Sequence, residues 1–548
     1  MISIEHNWMK TEAQINFLKK IATTLDPCYR DVQSRVLSEL EGKLKTATLT
    51  MDQLVIHEKE KKKEKERDLD IPAVTKALEK MGPSKKVKYA FQKGSLESIR
   101  DDLENWQRRF DPSWMLTMRI ADSLIDEELD QEERKPQQTK FIIAAKGVRD
   151  AARESTSTSS PTDGSIFKSA TILTTDETSI PFSSALLCQL PDSKEHVLVD
   201  TMICNPIANM DRTMRDVRKL ARILSKVDPS TFSLLACIGV IRSSTTCTKQ
   251  PFSGVYQGQS KEHPTFKFLF AIPTSLSSPK SLRALLIESN PWYPLNSRFD
   301  LAKQLTSSVL FIHSSQFVHK NIRPETTIIF EKGEKSRSDL GKLFLVGFEK
   351  FRPAEGITYR TSDGIWQHDL YRHPSRQGTQ PEEEYQMQHD IYSLGVVLLE
   401  LGLWQSFITY PNPPPSSPTS SSSSSDTKQA ELEDPTTPIP PAFITQYASE
   451  KDMRKRATAI KAHVISLASE MLPARMGRKY ADIVLLCLRC LDSAPPLGPT
   501  VEGEGGEDGK GSYCGPGGEF EDVFDEDGIV VGVKYIEKIL LKMQEISV

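Results

Sequence analysis

Residues 317–326 read Phe-Val-His-Lys-Asn-Ile-Arg-Pro-Glu-Thr, and they follow a stretch at 298–313 that has the length and apolar spacing of a helix. A short apolar strand at Leu343–Val346 comes next, and the triplet Gly347-Phe348-Glu349 follows it directly. Residues 390–400 read Asp-Ile-Tyr-Ser-Leu-Gly-Val-Val-Leu-Leu-Glu, which is typical of a buried helix with an acidic start. Together these segments predict a domain in which one polar loop is held between buried helices and strands.

The residues before this loop add strands, so the predicted domain is of the α+β class. Strands are predicted at Ser184–Leu190, His196–Ile203 and Phe266–Ile272, and a helix at Met214–Lys226. The domain is predicted to span residues 166–548.

This order and spacing of segments resembles the C-lobe of a eukaryotic protein kinase, and the resemblance covers residues 166–548. It implies a bilobal protein-kinase-like fold. The sequence Leu-Tyr-Arg-His-Pro at 370–374, followed by the helix at 390–400, is similar to a fungal family. Members of that family join such a domain to an N-terminal helical region of the HeLo or prion-inhibition type. The architecture is analogous to that of the mixed-lineage kinase-like pseudokinase of animals, in which a helical bundle precedes the kinase-like domain.

The N-terminal third has the pattern of four amphipathic helices without a strand signal, which predicts an all-α helical bundle over residues 1–130. Helix starts are marked by Asp26-Pro27, Gly94-Ser95 and Asp111-Pro112, in which a capping residue precedes the helix. The chain is therefore predicted to be multidomain.

Three stretches between and within these domains are poor in apolar residues. A linker is expected at 131–165, which ends in a run of Ser and Thr. Disordered insertions are expected at 411–441, which is rich in Pro and Ser, and at 495–528, which is rich in Gly and acidic residues. Such compositions bury too little apolar surface to offset the entropy of ordering.

The charge of the chain is nearly balanced. Its 548 residues include 70 Lys and Arg against 74 Asp and Glu, for a net charge of −4. This balance excludes a chain-wide polyanion binder, and no nucleic-acid partner is expected. One segment has lysines and no acid: Lys80, Lys85, Lys86, Lys88 and Lys93. It is either a solvated connection between helices or a contact with an anionic membrane surface.

The chain has no apolar run of the length that a transmembrane helix needs and no signal peptide at its start. We therefore expect a cytoplasmic protein that the lysine segment could recruit to a membrane. Cys487 and Cys490 lie in an apolar run, so we expect buried helical cysteines, with a metal or redox pair as the alternative.

Within the resemblance, residues 319–326 take the place of the loop that carries the catalytic base of a kinase. Asn321 stands at the position of that base, and an amide cannot accept the proton at neutral pH. Thr326 stands at the position of an Asn that binds magnesium, and Arg323 at that of a lysine near the transferred phosphate. The altered loop positions are His319, Lys320, Asn321, Arg323 and Thr326.

The positions that would bind ATP and magnesium are altered too. The triplet Gly347-Phe348-Glu349 replaces Asp-Phe-Gly, and its glycine has no side chain to hold magnesium. Asp200 stands where the third strand carries a phosphate-binding lysine, and an acid there would repel the phosphates of ATP. Glu349 could stand in for the lost carboxylate, and Lys194 or Lys267 for the lost lysine. ATP and magnesium are therefore implied by the resemblance alone.

Other matched positions are structural. Asp390 matches the aspartate that binds the backbone of the catalytic loop, and His319 matches the histidine that packs beneath it. His373 and Pro374 belong to the motif that anchors the activation segment, but Ser375 replaces its glutamate. The usual anchor therefore lacks its acid.

Base, magnesium ligand and phosphate lysine are missing together, and each loss alone removes orders of magnitude in rate. The sequence therefore predicts a pseudokinase that acts as a signalling or regulatory module for an N-terminal effector bundle, through protein partners or self-association. One alternative is an unconventional ATP-binding serine/threonine kinase that uses Glu349 and Arg323. Another is a non-catalytic adaptor whose Pro-Asn-Pro-Pro-Pro at 411–415 recruits partners.

The candidate phosphorylation sites are Thr358, Tyr359, Thr361 and Ser362. Because the outline is clear, we also expect a kinase family model to match the chain.

Overall fold

A computed structural model gives the fold of the chain. The residues that it describes are 14–25, isolated positions between 27 and 42, 123–134, 146, 149, 166–174, 177–191, 195–204, 209–247, 261–288, 293–332, 340–353, 365–378, 381, 383–410, 438–492 and 529–546. Most of the predicted bundle 1–130 and of the linker 131–165 lies outside this set. So do the lysine segment 80–93 and the candidate phosphorylation sites at 354–364.

Two helical stretches of the N-terminal region lie side by side. Residues 14–20 are helical, and helix α1 comprises Ser123–Glu133. An ion pair of 2.5 Å joins Lys20 Nζ to Glu128 Oε2. Phe17 and Ile125 are fully buried, as expected for apolar positions on facing sides of amphipathic helices. The other helices of the predicted bundle fall on residues outside the described ones.

A sheet of six strands forms the first lobe of the kinase-like domain. The strands are β1 (Phe167–Lys168), β2 (Thr178–Ser179), β3 (Leu186–Gln189), β4 (His196–Ile203), β5 (Cys237–Cys247) and β6 (Lys261–Ala271). Their order is β1-β5-β6-β4-β3-β2, and only the edge pair β1–β5 is parallel. Helix α2 (Met210–Ser225) packs on β5, and helix α3 (Pro229–Phe232) precedes that strand.

Side chains alternate between the two faces of this sheet. Leu198 of β4 and Phe268 of β6 belong to the large core, which continues into the second lobe. Val199 of β4 and Leu269 of β6 belong to a small separate cluster on the opposite face. By the same alternation Asp200 lies on the large-core face and Lys267 on the other face.

The second lobe contains the remaining strands and most of the helices. Its elements are β7 (Leu276–Ser281), α4 (Leu282–Ile287), α5 (Leu295–Ser314), β8 (Phe317–Val318), β9 (Thr327–Lys332), β10 (Lys342–Leu345), β11 (Arg352–Pro353), α6 (Trp366–Asp369), α7 (Met387–Leu403), α8 (Ala442–Gln446), α9 (Met453–Met476), α10 (Arg478–Leu488), α11 (Ile529–Tyr535) and α12 (Lys542–Gln544). Strands β10, β9 and β7 form one antiparallel sheet, and β11 pairs with β8.

Helix α7 is the centre of this lobe, and almost all of its residues are buried. Helix α10 approaches it so closely that a Cβ atom on Gly395 would lie 2.8 Å from Cys487 Cβ. The hydroxyl of Tyr480 donates to the carbonyl oxygen of Leu398 at 2.7 Å and ties the same two helices together. This packing fixes the start of α7, where Asp390 lies.

The helices and the mixed sheet agree with the predicted α+β kinase-like lobe, although several element ends differ. Helix α2 begins at Met210, four residues before the predicted start, because the side chain of Asn209 caps it by accepting from the Arg212 N–H at 3.0 Å. The last residues of the predicted insertion 411–441 are described, and the N–H of Ile439 donates to the carbonyl of Thr409 at 2.7 Å. In the described part of the chain no helix is both long and apolar enough to cross a membrane.

Candidate functional site: the loop at 317–326 and the triplet at 347–349

Asp390 fixes the backbone of the loop that follows β8. Its buried carboxylate accepts hydrogen bonds from the backbone N–H of His319 at 2.7 Å and of Lys320 at 2.8 Å. The hydroxyl of Tyr385 donates to it at 2.6 Å, and His313 Nε2 lies 3.1 Å away. Burial alone would raise the pKa of this carboxyl, but the contact with His313 and the other donors hold it below the usual range. Asp390 thus makes the backbone contact that the resemblance implies.

His319 packs beneath the loop rather than facing a substrate. It is buried, and its ring centroid lies 5.0 Å from that of Phe348, which is also buried. Burial lowers the pKa of His319 to about 4, so the imidazole is neutral at physiological pH. Its role here is packing between the loop and the triplet 347–349.

Asn321, at the position of the catalytic base, is enclosed by neighbouring side chains. Its Nδ2 donates to the carbonyl oxygen of Gly347 and to Glu349 Oε1, each at 3.1 Å. Its Oδ1 accepts from Arg323 Nε at 2.8 Å, and Arg323 Nη2 lies 3.9 Å from Glu349. Both ends of the amide are therefore engaged by groups of the site itself.

The two altered magnesium positions, Gly347 and Thr326, pack against each other. Gly347 has a φ of +90°, and a Cβ atom there would lie 2.3 Å from Thr326 Cγ2 and 2.7 Å from its Cβ. Thr326 is buried, and its hydroxyl donates to the Asn321 carbonyl at 2.7 Å. The methyl group of Thr326 thus occupies the space that a side chain at 347 would need, so neither position can regain a ligand alone.

Asp200 reaches across the cleft to the same triplet. Its Oδ2 accepts hydrogen bonds from the backbone N–H of Gly347 at 3.0 Å and of Phe348 at 2.7 Å. Burial raises its pKa to about 6, even though the two backbone donors favour the charged form. Asp200 therefore holds the triplet, rather than facing open space where phosphates would lie. The sequence contained one indication of this role: Asp200 follows Val-Leu-Val in an apolar strand, and a buried carboxylate needs hydrogen-bond donors.

Of the three residues proposed as replacements for lost groups, two are paired with other side chains and one lies outside the described residues. Lys267 Nζ pairs with Glu177 at 3.0 Å on the sheet face opposite to Asp200, so it is not a surrogate for the phosphate lysine. Lys194 is not among the described residues. Glu349 is held by Asn321 and lies beside Arg323, as given above.

The hairpin between β2 and β3 closes over the cleft. Ser281 Oγ donates to the carbonyl oxygen of Pro181 at 2.6 Å, and the Phe182 ring lies 4.6 Å from the ring of Tyr410 in the second lobe. Phe182 has a φ of +55°, a strained value that surrounding contacts must hold. Ile180 of the same hairpin is buried in the large core. The sequence 180–185, which has no glycine, gave no indication of this contact between lobes.

A different network replaces the missing acid at Ser375. Ser375 Oγ lies 2.9 Å from His373 Nδ1 and 3.2 Å from His389 Nε2. Lys461 of α9 lies 2.9 Å from His373 Nε2 and pairs with Asp492. Burial and the neighbouring Lys461 lower the pKa of His373 to about 3, so it stays neutral. Pro374 is the first residue of the short helical turn that this network fixes.

This network is not a nucleophilic triad. His389 Nδ1 accepts from the Gln386 N–H at 2.9 Å, so its proton is on Nε2, which faces Ser375 and Glu383. A protonated Nε2 cannot act as a base towards the hydroxyl of Ser375. The cluster is therefore an anchor for the chain at 373–376, and Lys461 is a member that the sequence did not indicate.

Arg283 lies at the centre of a buried ionic cluster that the sequence also did not indicate. Its guanidinium pairs with Glu325 at 3.0 Å and with Glu400 at 2.7 Å, and it donates to the hydroxyl of Tyr371. Arg283 and Glu400 are both fully buried. Burial opposes the charge of Arg283, but the two glutamates raise its pKa well above the usual value. The apolar run Leu-Arg-Ala-Leu-Leu-Ile at 282–287 contains this arginine, and a cation in such a run indicates a buried charge with an acidic partner.

Three cations surround Tyr385, two at its ring and one at its backbone carbonyl. Lys320 Nζ lies 5.4 Å and Arg376 Cζ 5.5 Å from its centroid, while Arg352 donates to its carbonyl oxygen. Burial, together with Arg352 and Arg376, lowers the pKa of Lys320 to about 7. Lys320 also has a φ of +65°. Arg352 precedes the segment 354–364 by two residues, and Arg376 follows it by twelve.

The residues present do not fit magnesium or the phosphates of ATP. Gly347 and Thr326 offer no carboxylate or amide ligand, and the carboxylate of Asp200 is turned to backbone N–H groups. Across the described parts of the chain, no three His, Cys, Asp or Glu side chains are grouped to hold a metal ion. No catalytic step can therefore be derived through either group.

Cys487 and Cys490 are both buried, as predicted. Cys487 lies in helix α10, and Cys490 lies in the turn after it, where its Sγ donates to the carbonyl of Gln388 at 3.2 Å. Burial raises the pKa of Cys490 to about 12, so it remains a thiol.

Comparison with known proteins supports a kinase-like region at a coarse level. The chain is 31% identical over 124 residues to a serine/threonine-protein kinase-like protein of Arabidopsis thaliana. The match covers 22% of this chain and spans 33% of the length of that relative. No family model matches the chain, so the expectation of a match to a kinase model was wrong. Part of the chain is therefore similar to a kinase-like protein, which agrees with the kinase-like lobe of the fold.

Proposed function

We propose that the kinase-like domain is a pseudokinase, a regulatory module that does not transfer phosphate. One observation carries this proposal: the residues at the catalytic positions bind each other. Asn321 is held by Gly347, Glu349 and Arg323, and Asp200 is held by the backbone of the triplet. A site of this kind has no free base and no ligands for a metal ion.

The energetic consequences are large. A general base contributes typically about 10²–10⁴-fold in rate, and electrostatic stabilisation of the transferring phosphate contributes at least as much. Both are absent from the positions where a kinase places them. The alternative, an active kinase based on Glu349 and Arg323, is not favoured, because these two groups lie beside each other and are bridged by Asn321.

The effector that this module would regulate is, in our proposal, the N-terminal helical region of the HeLo or prion-inhibition type. Its lysine segment at 80–93 would contact an anionic membrane surface, and signalling would proceed through protein partners or self-association. Phosphorylation of Thr358, Tyr359, Thr361 or Ser362 would place an anion near the cluster of Lys320, Arg352 and Arg376 and reorder that segment.

A thermal-shift titration of the full chain with ATP, with and without magnesium, tests the proposal. We expect no magnesium-dependent rise in the melting temperature. A known active kinase treated in parallel provides the positive control. A rise that requires magnesium and disappears in Glu349→Gln would contradict the proposal, because it would show that Glu349 supplies a metal ligand.

A further inference from the structure

Helix α2 has a basic face on the side away from the sheet. Between 210 and 226 the sequence contains two acidic and six basic residues, and the latter are Arg212, Arg215, Arg218, Lys219, Arg222 and Lys226. The apolar positions of the helix are buried, namely Val217, Leu220, Ala221, Ile223 and Leu224. With 3.6 residues per turn, the basic positions lie opposite to the buried ones. The Lys219 side chain, however, reaches the buried ring of Phe317 in β8, with its Nζ 5.7 Å from the centroid. Arg212, Arg215 and Lys226 are exposed.

The basic face is long and is extended by the neighbouring sheet edge. From residue 212 to 226 it measures about 21 Å at 1.5 Å per residue. The Arg218 guanidinium lies 5.4 Å from the ring of Phe167 in strand β1, at the edge of the sheet. Arg242 of β5 is exposed as well, and its Nη1 lies 3.7 Å from Met214 Sδ. Cations from α2 and from β5 thus share one side of the first lobe.

We propose that this basic face of α2 binds the anionic headgroups of a lipid bilayer. A row of cations along one helix face suits a flat surface of many negative charges better than a single small anion. No aromatic residue occurs between 209 and 228, so the base stacking that supports single-stranded nucleic-acid binding is not available.

The lysine segment at 80–93 provides a second contact of the same kind in another part of the chain. Two weak contacts with one membrane reinforce each other, because the second forms at a high effective concentration. The proposed membrane contact lies on the kinase-like domain itself. It is independent of any catalysis in the cleft.

Co-sedimentation of the full chain with vesicles tests the proposal. Vesicles of phosphatidylcholine alone are compared with vesicles that contain phosphatidylserine, for the native chain and for the double variant Arg212→Glu/Arg215→Glu. The matched control is Arg478→Glu/Lys479→Glu, which removes two exposed cations at the start of α10 and makes the same change in net charge. All comparisons are repeated in a chain whose five lysines at 80–93 are replaced by Ala. Circular dichroism melting verifies that each variant is folded.

We expect binding to phosphatidylserine vesicles that the α2 variant weakens by about 30-fold, since each basic residue near an anionic surface contributes about 5-fold. The same loss should occur in the Lys-to-Ala background, and the control should bind like the native chain. Equal binding by the α2 variant and the native chain in both backgrounds would overturn the proposal. So would a loss of binding to RNA or poly-glutamate without a loss on vesicles, because the face would then serve another polyanion.

Discussion

Replacing Asp200 by Asn should change how the stability of the kinase-like domain depends on pH. The carboxylate is buried and holds Gly347 and Phe348 through their N–H groups. Burial raises its pKa from 3.8 to about 6. A carboxyl whose pKa is raised in the folded state makes its full contribution to stability below pH 3.8. That contribution is lost as the pH rises through 6, because the folded state then has to bury a charge.

The size of the effect follows from this shift. A change of about 2 pKa units corresponds to about 3 kcal/mol in all. Between pH 4.5 and 7.5 about 2 kcal/mol of this amount should be lost, since the unfolded carboxyl is already mostly ionised at pH 4.5. The Asn variant has no such titration but keeps an oxygen that can accept from the two backbone N–H groups.

The assay is denaturant unfolding of the native chain and of Asp200→Asn at a series of pH values. Taking the difference between the two chains removes the contribution of every other titrating group. The variant should gain about 2 kcal/mol on the native chain between pH 4.5 and 7.5. Asp211→Asn, at an exposed position of α2, controls for the change in net charge. A difference that is constant with pH, or that favours the native chain as pH rises, would refute the reasoning.

Three further changes probe other parts of the site. Arg283→Met should destabilise the domain by about 3–5 kcal/mol in urea unfolding, because it leaves the buried Glu400 without its partner; a change under about 1 kcal/mol would contradict this. Gly347→Ala should destabilise through its contact with Thr326, and Thr326→Gly should restore part of the loss; additive effects in a double-mutant cycle would exclude the contact. Phe182→Gly should loosen the hairpin and speed amide exchange at 180–185, and unchanged exchange would show that its ring does not close the cleft.

Much of the kinase-like lobe could be predicted from local patterns. The alternation of apolar residues predicted β4, and the uninterrupted apolar run predicted α7, because burial on one or both faces leaves a direct mark in the sequence. The start of α2 was missed because its cap, Asn209, precedes the apolar stripe by several positions. Expectations for the N-terminal bundle fall mainly on residues outside the described ones.

The sequence predicted which catalytic groups are replaced, but it did not predict which side chains contact each other in the site. A position such as Asn321 shows that a base is absent, since the amide cannot accept the proton. It does not show that the amide binds Gly347 and Glu349, because those residues lie 26 and 28 positions away. The same holds for Arg283, whose partner Glu400 is 117 residues distant. Contacts of this range depend on how the lobes pack, and a single sequence does not reveal them.

The central claim is that the cleft does not catalyse phosphoryl transfer. The most direct measurement is transfer of radiolabelled phosphate from magnesium-ATP to the chain itself and to a generic protein substrate, by the native chain and by Asn321→Ala/Glu349→Gln. The account predicts the same background signal from both chains, because neither has a base or a metal ligand. Transfer by the native chain that is clearly above background and is lost in the variant would contradict it.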